Sequence, residues 1–591
     1  MPRRRVIENN DFRTIMSHDQ KAFGFPASAQ DVAGLVERVR GTGITTYVMD
    51  SIEYDNKVYF QTKRGTDWAA IDFAKYGGNW DDHYGAAGRL MQKMRAEGRE
   101  ALQVVIDSCR DMKLEVLAGL RMNDCHALEP LSHDSPDVSF HLKEHPEQAF
   151  CFPGTNERTR LADFANEDLR DYRFGLMVEL MEKFDFDGLE LNWVRAPYLF
   201  QPDQTPGPYG YINEGRFAQL APIMTRWTAD IRAFLDELGR KRGRPMVLGL
   251  RIPETPQITR AVGIDLPAWI RAARLDYIVP SGYHSTLFTI PVEEFKAMCA
   301  GTDCAVYPSM FPNVSISPKT IRTCQTDVYA AAAQTYYAGG ADGVELFNHF
   351  HPACKVIGLP FNSEVFNVVA SPQTVAQHPT HHYYIVYPTE PAGVADCAKL
   401  GITGYRGLCM SGLRQPFTFR FGEDMASSDR KLTRFRFKIF DMTPQDDEPT
   451  VWLNDAPVSI TMTWRKRLNY ALAVIGFGEE KSEPTSSIAW GSALDIEILG
   501  GEPIEESDMP RVNELLSKPI WQRPEFTEPA GPDASKLGLD MFMLVEVDLS
   551  AVPPEALHKG LNRVWIKTGK RRPDWVTDMF MGELEIVTKR E

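Results

Sequence analysis

At 591 residues the chain exceeds what one hydrophobic core usually fills, so two or three domains are expected. Its 43% apolar and 25% charged residues are ordinary for a globular protein, and a formal charge of −15 leaves no basic surplus to displace counterions from nucleic-acid phosphates. Nine scattered cysteines without a Cys-x-x-Cys pair argue against zinc-ribbon and thioredoxin-type sites. No run of about 18 apolar residues proposes a membrane helix, and the first residues lack a signal-peptide pattern, so a cytoplasmic protein with neither nucleic-acid nor membrane partner is expected.

Residues 5–11 read as a first strand with Asn10 and Asp11 at its polar tip. Residues 31–40 have helical spacing at Val32, Leu35, Val36 and Val39, stopped by Gly41 and Gly43. A second strand over 44–50 ends in Asp50, an insertion spans 51–84, and 91–112 reads as a helix. The third strand, 114–124, places Leu117, Gly119, Arg121 and Asn123 on one face, with Asp124 at its end. Helix 166–184, capped by Asn166 or Asp163, leads into a fourth strand within 184–197. There Leu189 and Leu191 point one way, Gly188, Glu190 and Asn192 the other, and Trp193 follows. A fifth strand at 246–251 ends in Arg251, with Glu254 just beyond; a sixth at 275–283 ends in Tyr283, followed by His284. A seventh spans 304–310, 320–338 reads as a helix, and 341–347 is an eighth strand that repeats Asp-Gly-x-Glu-Leu, with Glu345 in the place of Glu190 and Asn348 and His349 after it.

Strands alternating with helices predict an α/β fold, a (β/α)8 TIM barrel over residues 1–370. No Gly-x-Gly-x-x-Gly supports an open doubly wound sheet. From 371 to 591 the texture changes to alternating runs rich in Phe, Val and Thr, such as 417–421 and 432–440. These predict an antiparallel, jelly-roll-like β-sandwich as an accessory domain.

A carboxylate inside a strand is costly unless it is paired or used. Glu190 and Glu345 are therefore the expected catalytic pair: glycoside hydrolysis needs one protonated and one ionised carboxyl group flanking the scissile bond. The alternative is that they fill the barrel as ion-pair partners of Arg121 or Arg251. Expected pocket residues are Asn10, Asp11, Asp50, Arg121, Asn123, Asp124, Asn192, Trp193, Arg251, Glu254, Tyr283, His284, Asn348 and His349. The two inward arginines place anionic sugars among the candidate substrates. No cofactor is expected. A metal-dependent rival would use His349, His351 and Glu345, and a non-catalytic glycan-binding barrel is a further rival.

Residues 186–197, Phe-Asp-Gly-Leu-Glu-Leu-Asn-Trp-Val-Arg-Ala-Pro, resemble a strand of bacterial glycoside hydrolase-like (β/α)8 proteins. Residues 6–11, 120–126, 163–173 and 340–350 resemble other stretches of the same proteins. The resemblance implies a barrel fold and a carbohydrate substrate, and is far less specific for activity. The likeness to the chitinase-type strand is superficial: Val194 and Asn192 stand where that family carries its catalytic Glu and last Asp. Large retaining barrel families carry their acids on strands four and seven, whereas Glu345 falls on the eighth.

Overall fold

A computed structural model describes residues 4–12, 28–53, 56–78, 80–124, 130–136, 138–152, 155–201, 214–282, 285–317, 320–323, 325–349, 363–385, 408–409, 413–440, 442, 446–467, 502–503, 506, 509–510, 540–570 and 579–591. Eight parallel strands form the first part: β1 (Val6–Asn10), β2 (Thr46–Glu53), β3 (Glu115–Arg121), β4 (Gly188–Asn192), β5 (Val247–Pro253), β6 (Tyr277–Ser281), β7 and β8 (Val344–Phe347). β7 comes in two pieces, Ala305–Val306 paired with β6 and Ser309–Met310 paired with β8. At Tyr307 and Pro308 the chain hands over from one neighbour to the other. The Tyr307 N–H donates to the Ile278 carbonyl (2.9 Å) and the Pro308 carbonyl accepts from Glu345 (3.1 Å). Because β8 also pairs with β1, the ring closes as a (β/α)8 barrel.

The Asp-Gly-x-Glu motif has a structural explanation at the amino-terminal rim. Asp187 accepts a hydrogen bond from the Val116 amide of β3 (2.9 Å), and Asp342 accepts from Val306 of β7 (2.8 Å). Asp276 does the same for Leu248 of β5 (2.8 Å). Each aspartate thus satisfies the second amide of the preceding strand, a donor that burial would otherwise leave unpaired. The glycine that follows is required by space: a Cβ at Gly188 would lie 2.1 Å from the Val247 carbonyl oxygen, and one at Gly343 1.9 Å from that of Arg5.

Three local expectations change. The helix predicted over 91–112 is two helices, Ala86–Ala96 and Ala101–Asp111, broken where Gly98 takes a φ of +75°. Residues 320–323 are not helical but pair with Asn313–Ser317 as a hairpin, and the helix starts at Thr326. The insertion 51–84 holds two short strands, Lys57–Val58 and Thr66–Asp67. Asn166 does cap its helix, accepting from the Leu169 amide.

Beyond the barrel lie β9 (Thr380–Ile385), β10 (Arg414–Phe421), β11 (Arg430–Phe440), β12 (Thr450–Leu453), β13 (Ala456–Val458), β14 (Ile460–Arg467), β15 (Asp540–Val547), β16 (Gly560–Lys567) and β17 (Met579–Arg590). One antiparallel sheet runs β9–β17–β11–β15–β14 and the other β10–β16–β12–β13. Their apolar faces meet, as in the edge-on contact of Phe419 with Phe435 at 6.3 Å, making a sandwich. It is tied to the barrel helix Thr326–Ala338, where Gln334 donates to the Gly422 carbonyl (3.0 Å).

Candidate active site in the barrel interior

Inward-facing residues fill the barrel in layers. At the floor Arg5 is hydrogen-bonded to Glu115 (2.6 and 3.0 Å), with Thr46 donating to the same carboxylate (2.9 Å). Above it Ile7, Val48, Leu117, Val247, Tyr277, Val279, Ala305 and Tyr307 form an apolar plug separate from the core between strands and helices.

The two predicted glutamates meet above this plug. Asn9 donates its amide to both, to Glu190 Oε1 at 2.6 Å and Glu345 Oε2 at 3.2 Å. The Tyr277 hydroxyl donates to Glu190 (2.8 Å), and Arg251 Nε donates to Glu345 (3.0 Å). Arg251 also reaches Ser281 (2.6 Å) and lies 3.8 Å over the Phe347 ring. Glycines make the room. Gly119 and Gly249 are the register neighbours of Glu190, and a Cβ on Gly249 would lie 2.1 Å from the Tyr277 ring.

Burial pushes the Glu190 carboxyl far above its usual value, and repulsion from Glu345 adds to this. Burial also raises Glu345, but the Arg251 guanidinium works against the rise. Both carboxyls are raised, Glu190 the more strongly, so of the two it is Glu345, beside Arg251, that is better placed to carry the charge. Both residues are 0% exposed.

Nearer the carboxyl ends of the strands, Arg121 is ringed by carboxylates. It pairs with Asp11, with Asp50 (2.8 Å), with Asp124 (3.2 Å) and with Glu53 (3.5 Å), while Arg195 pairs with Asp124 (3.1 Å). Asp11, Asp50 and Glu53 each present an oxygen within 4.8 Å of the others, the spacing of a cation site. The Arg121 guanidinium already serves as their cation, so the donor set fits arginine rather than a metal ion. Asn9 Oδ1, Asp50 Oδ1 and Asn192 Nδ2 are buried in this interior with no hydrogen-bond partner among the described residues.

Of the other expected pocket residues, Asn10, Asn123, Trp193 and His349 point away from the two glutamates, whereas Asn192 and Asn348 stay beside interior residues. Asn10 points outward and donates to the Tyr47 hydroxyl (2.7 Å). Asn123 ties loops together, bonding the Ala162 and Tyr198 carbonyls (3.1 and 2.8 Å). Trp193 packs between Phe164 and Trp269 among the helices. His349 pairs with the Tyr329 hydroxyl (2.8 Å) and packs on Phe366. Asn348, at φ +55°, accepts from the Asp11 amide and donates to its carboxylate (2.9 Å each). Asn192 accepts from the Val194 amide (3.0 Å) beside Arg251, and Glu254 is buried just past β5. Tyr283, His284 and His351 lie outside the described residues. Asn9, Glu53, Arg195 and Tyr277 were not expected from the sequence. The signal for Asn9 was strand parity, since Arg5, Ile7 and Asn9 share a face.

No protein-family model and no curated protein matches the chain. Solved structures resemble it in fold at low identity. A cycloisomaltooligosaccharide glucanotransferase from Paenibacillus sp., complexed with cycloisomaltoheptaose, is 10% identical with a TM-score of 0.33, over 99% of this chain and 57% of that one. Alpha-L-fucosidase isoenzyme 2 from Paenibacillus thiaminolyticus is 12% identical (TM-score 0.35; 64% and 49% covered). A noncanonic maltogenic alpha-amylase from Thermotoga neapolitana is 11% identical (TM-score 0.31; 73% and 91% covered). The chain spans about half the length of the first two. At such scores the barrel is defined by this chain's own strand pairing.

Proposed function

We propose that the barrel is a glycoside hydrolase working by a two-carboxylate mechanism on a poly- or oligosaccharide. The observation that carries this is the sharing of one Asn9 amide nitrogen by Glu190 and Glu345. Oxygens bonded to the same nitrogen lie less than about 6 Å apart, near the roughly 5 Å spacing of retaining enzymes and short of the 6.5–9.5 Å of inverting ones. Glu190, protonated, gives its proton to the glycosidic oxygen as the bond to the anomeric carbon breaks. Glu345, ionised beside Arg251, takes up that carbon as a glycosyl ester. Glu190, now a carboxylate, deprotonates the water that cleaves the ester, and Glu345 leaves as a carboxylate. The unpaired Asn9, Asp50 and Asn192 atoms are suited to sugar hydroxyls.

A second reading, a barrel that binds glycans without cleaving them, is favoured by the complete burial of both glutamates. Neutral, uronic and sulfated glycans incubated with the wild type, Glu190→Gln and Glu345→Gln separate the two. Hydrolysis lost by about 10²-fold or more in both variants, and unaffected by a chelator, supports the two-carboxylate enzyme. Hydrolysis that survives either substitution refutes the pair. Binding without cleavage by any version supports the second reading.

A further inference from the structure

The outward face of the four-stranded sheet carries residues that neither the barrel site nor the sandwich core uses. Strand alternation buries Phe417, Val451, Leu453, Val564 and Ile566 and turns their neighbours out. In register across the sheet, Pro416 stands opposite Trp565, Trp565 opposite Trp452, and Trp452 opposite Pro457. At about 4.8 Å between strands this makes an apolar row roughly 14 Å long. The prolines are exposed and the tryptophans partly so.

Cations flank the row on both sides. One side has Arg414 opposite Lys567, and the other has Arg563 opposite Thr418, all exposed. Arg414 Cζ lies 4.5 Å from the centroid of each tryptophan ring. No Asp or Glu occupies an outward position of these four strands. The acids nearest in sequence, Glu448 and Asp455, are exposed and lie beyond the strand ends, and Asp447 accepts from the Lys570 amide (2.8 Å). In a chain of net charge −15, an apolar row bordered by three cations is a local inversion of sign.

We propose that this face binds an acidic polysaccharide. Trp452 and Trp565 stack on the C–H faces of the sugar rings, while Arg414, Arg563 and Lys567 pair with carboxylate or sulfate groups. A nucleic acid fits less well, because its affinity comes mainly from phosphates tracked by a continuous basic groove, whereas here three cations only flank an apolar row suited to the C–H faces of sugar rings. The inference does not depend on what the barrel cleaves.

The test is affinity electrophoresis of the full chain through gels containing polygalacturonate, alginate, chondroitin sulfate or neutral dextran, with a single-stranded DNA oligonucleotide as a competing ligand. The expected result is retardation by at least one acidic polymer, reduced by added salt. Retardation falls about tenfold or more when Trp452 and Trp565 are both alanine, each lost stacking contact costing roughly severalfold. The Trp452→Phe, Trp565→Phe variant keeps both rings and much of the binding, which separates lost stacking from misfolding. The proposal is overturned if no acidic polymer retards the chain, if retardation survives the alanine pair, or if dextran or DNA binds as tightly.

Discussion

Replacing Arg251 with methionine tests the electrostatic account of the barrel interior. The substitution keeps much of the side-chain volume but strips the cation from Glu345, whose carboxylate is fully buried 3.0 Å away. Removing one partner of such a pair costs about 3–5 kcal/mol, because the remaining charge is uncompensated. Loss of the Ser281 bond and of the stacking on Phe347 adds roughly 1–2 kcal/mol that does not depend on pH. The electrostatic part does depend on pH. Burial already raises Glu345, and without the guanidinium its folded pKa rises further. A carboxyl raised on folding contributes stability that is full below its unfolded pKa and is lost as pH rises through the folded one. The cost of Arg251→Met is therefore expected to approach the pH-independent part, about 1–2 kcal/mol, near pH 5 and to be several kcal/mol larger near pH 8, read by urea denaturation at both. Adding Glu345→Gln should recover most of the loss at pH 8. An equal cost at both pH values, or a double variant no better than the single one, refutes the reasoning.

Gly249→Ala drives a methyl group into the Tyr277 ring and breaks the hydroxyl bond to Glu190. A loss of about 1–3 kcal/mol is expected in thermal unfolding, and no loss would show that the ring has room to move. At the junction of barrel and sandwich, burial lowers His382, but hydrogen bonds to Asp327 and Glu585 outweigh it and raise its pKa. Glu585 is correspondingly held down to about 2. The stability from a raised histidine is full below about pH 6.5 and fades as pH climbs through the folded value. His382→Gln should flatten the decline in Tm between pH 6.5 and 8.5, and an unchanged slope would assign that decline to other groups.

The barrel and its inward glutamates were legible because β4 and β8 alternate without interruption, so parity alone turns Glu190 and Glu345 inward. In β1 parity groups Arg5, Ile7 and Asn9, but with Val6 and Ile7 both apolar it does not say which face turns to the axis, and the choice between Asn9 and Asn10 rests on that. The Tyr277 contact was hidden for another reason. Its hydroxyl reaches Glu190 across Gly249, and that reach depends on the absence of a side chain on a neighbouring strand. Strand breaks set by long-range handover, as at Tyr307–Pro308, leave no trace in local periodicity. The Asp-Gly-x-Glu repeat was read as chemistry, but half of it is carpentry: Asp187 and Asp342 satisfy strand amides at the amino-terminal rim, and only the glutamates enter the interior.

The shared Asn9 amide also constrains how the chain is made. Its three participants lie at positions 9, 190 and 345, so the hydrogen bonding of the interior is incomplete until the eighth strand arrives. A nascent chain that still lacks Glu345 must leave Asn9 and Glu190 in water or bury them unsatisfied, which favours waiting. Closure of this barrel is thus a late, all-at-once event with a large sequence separation, and synthesis of the last strand sets its timing.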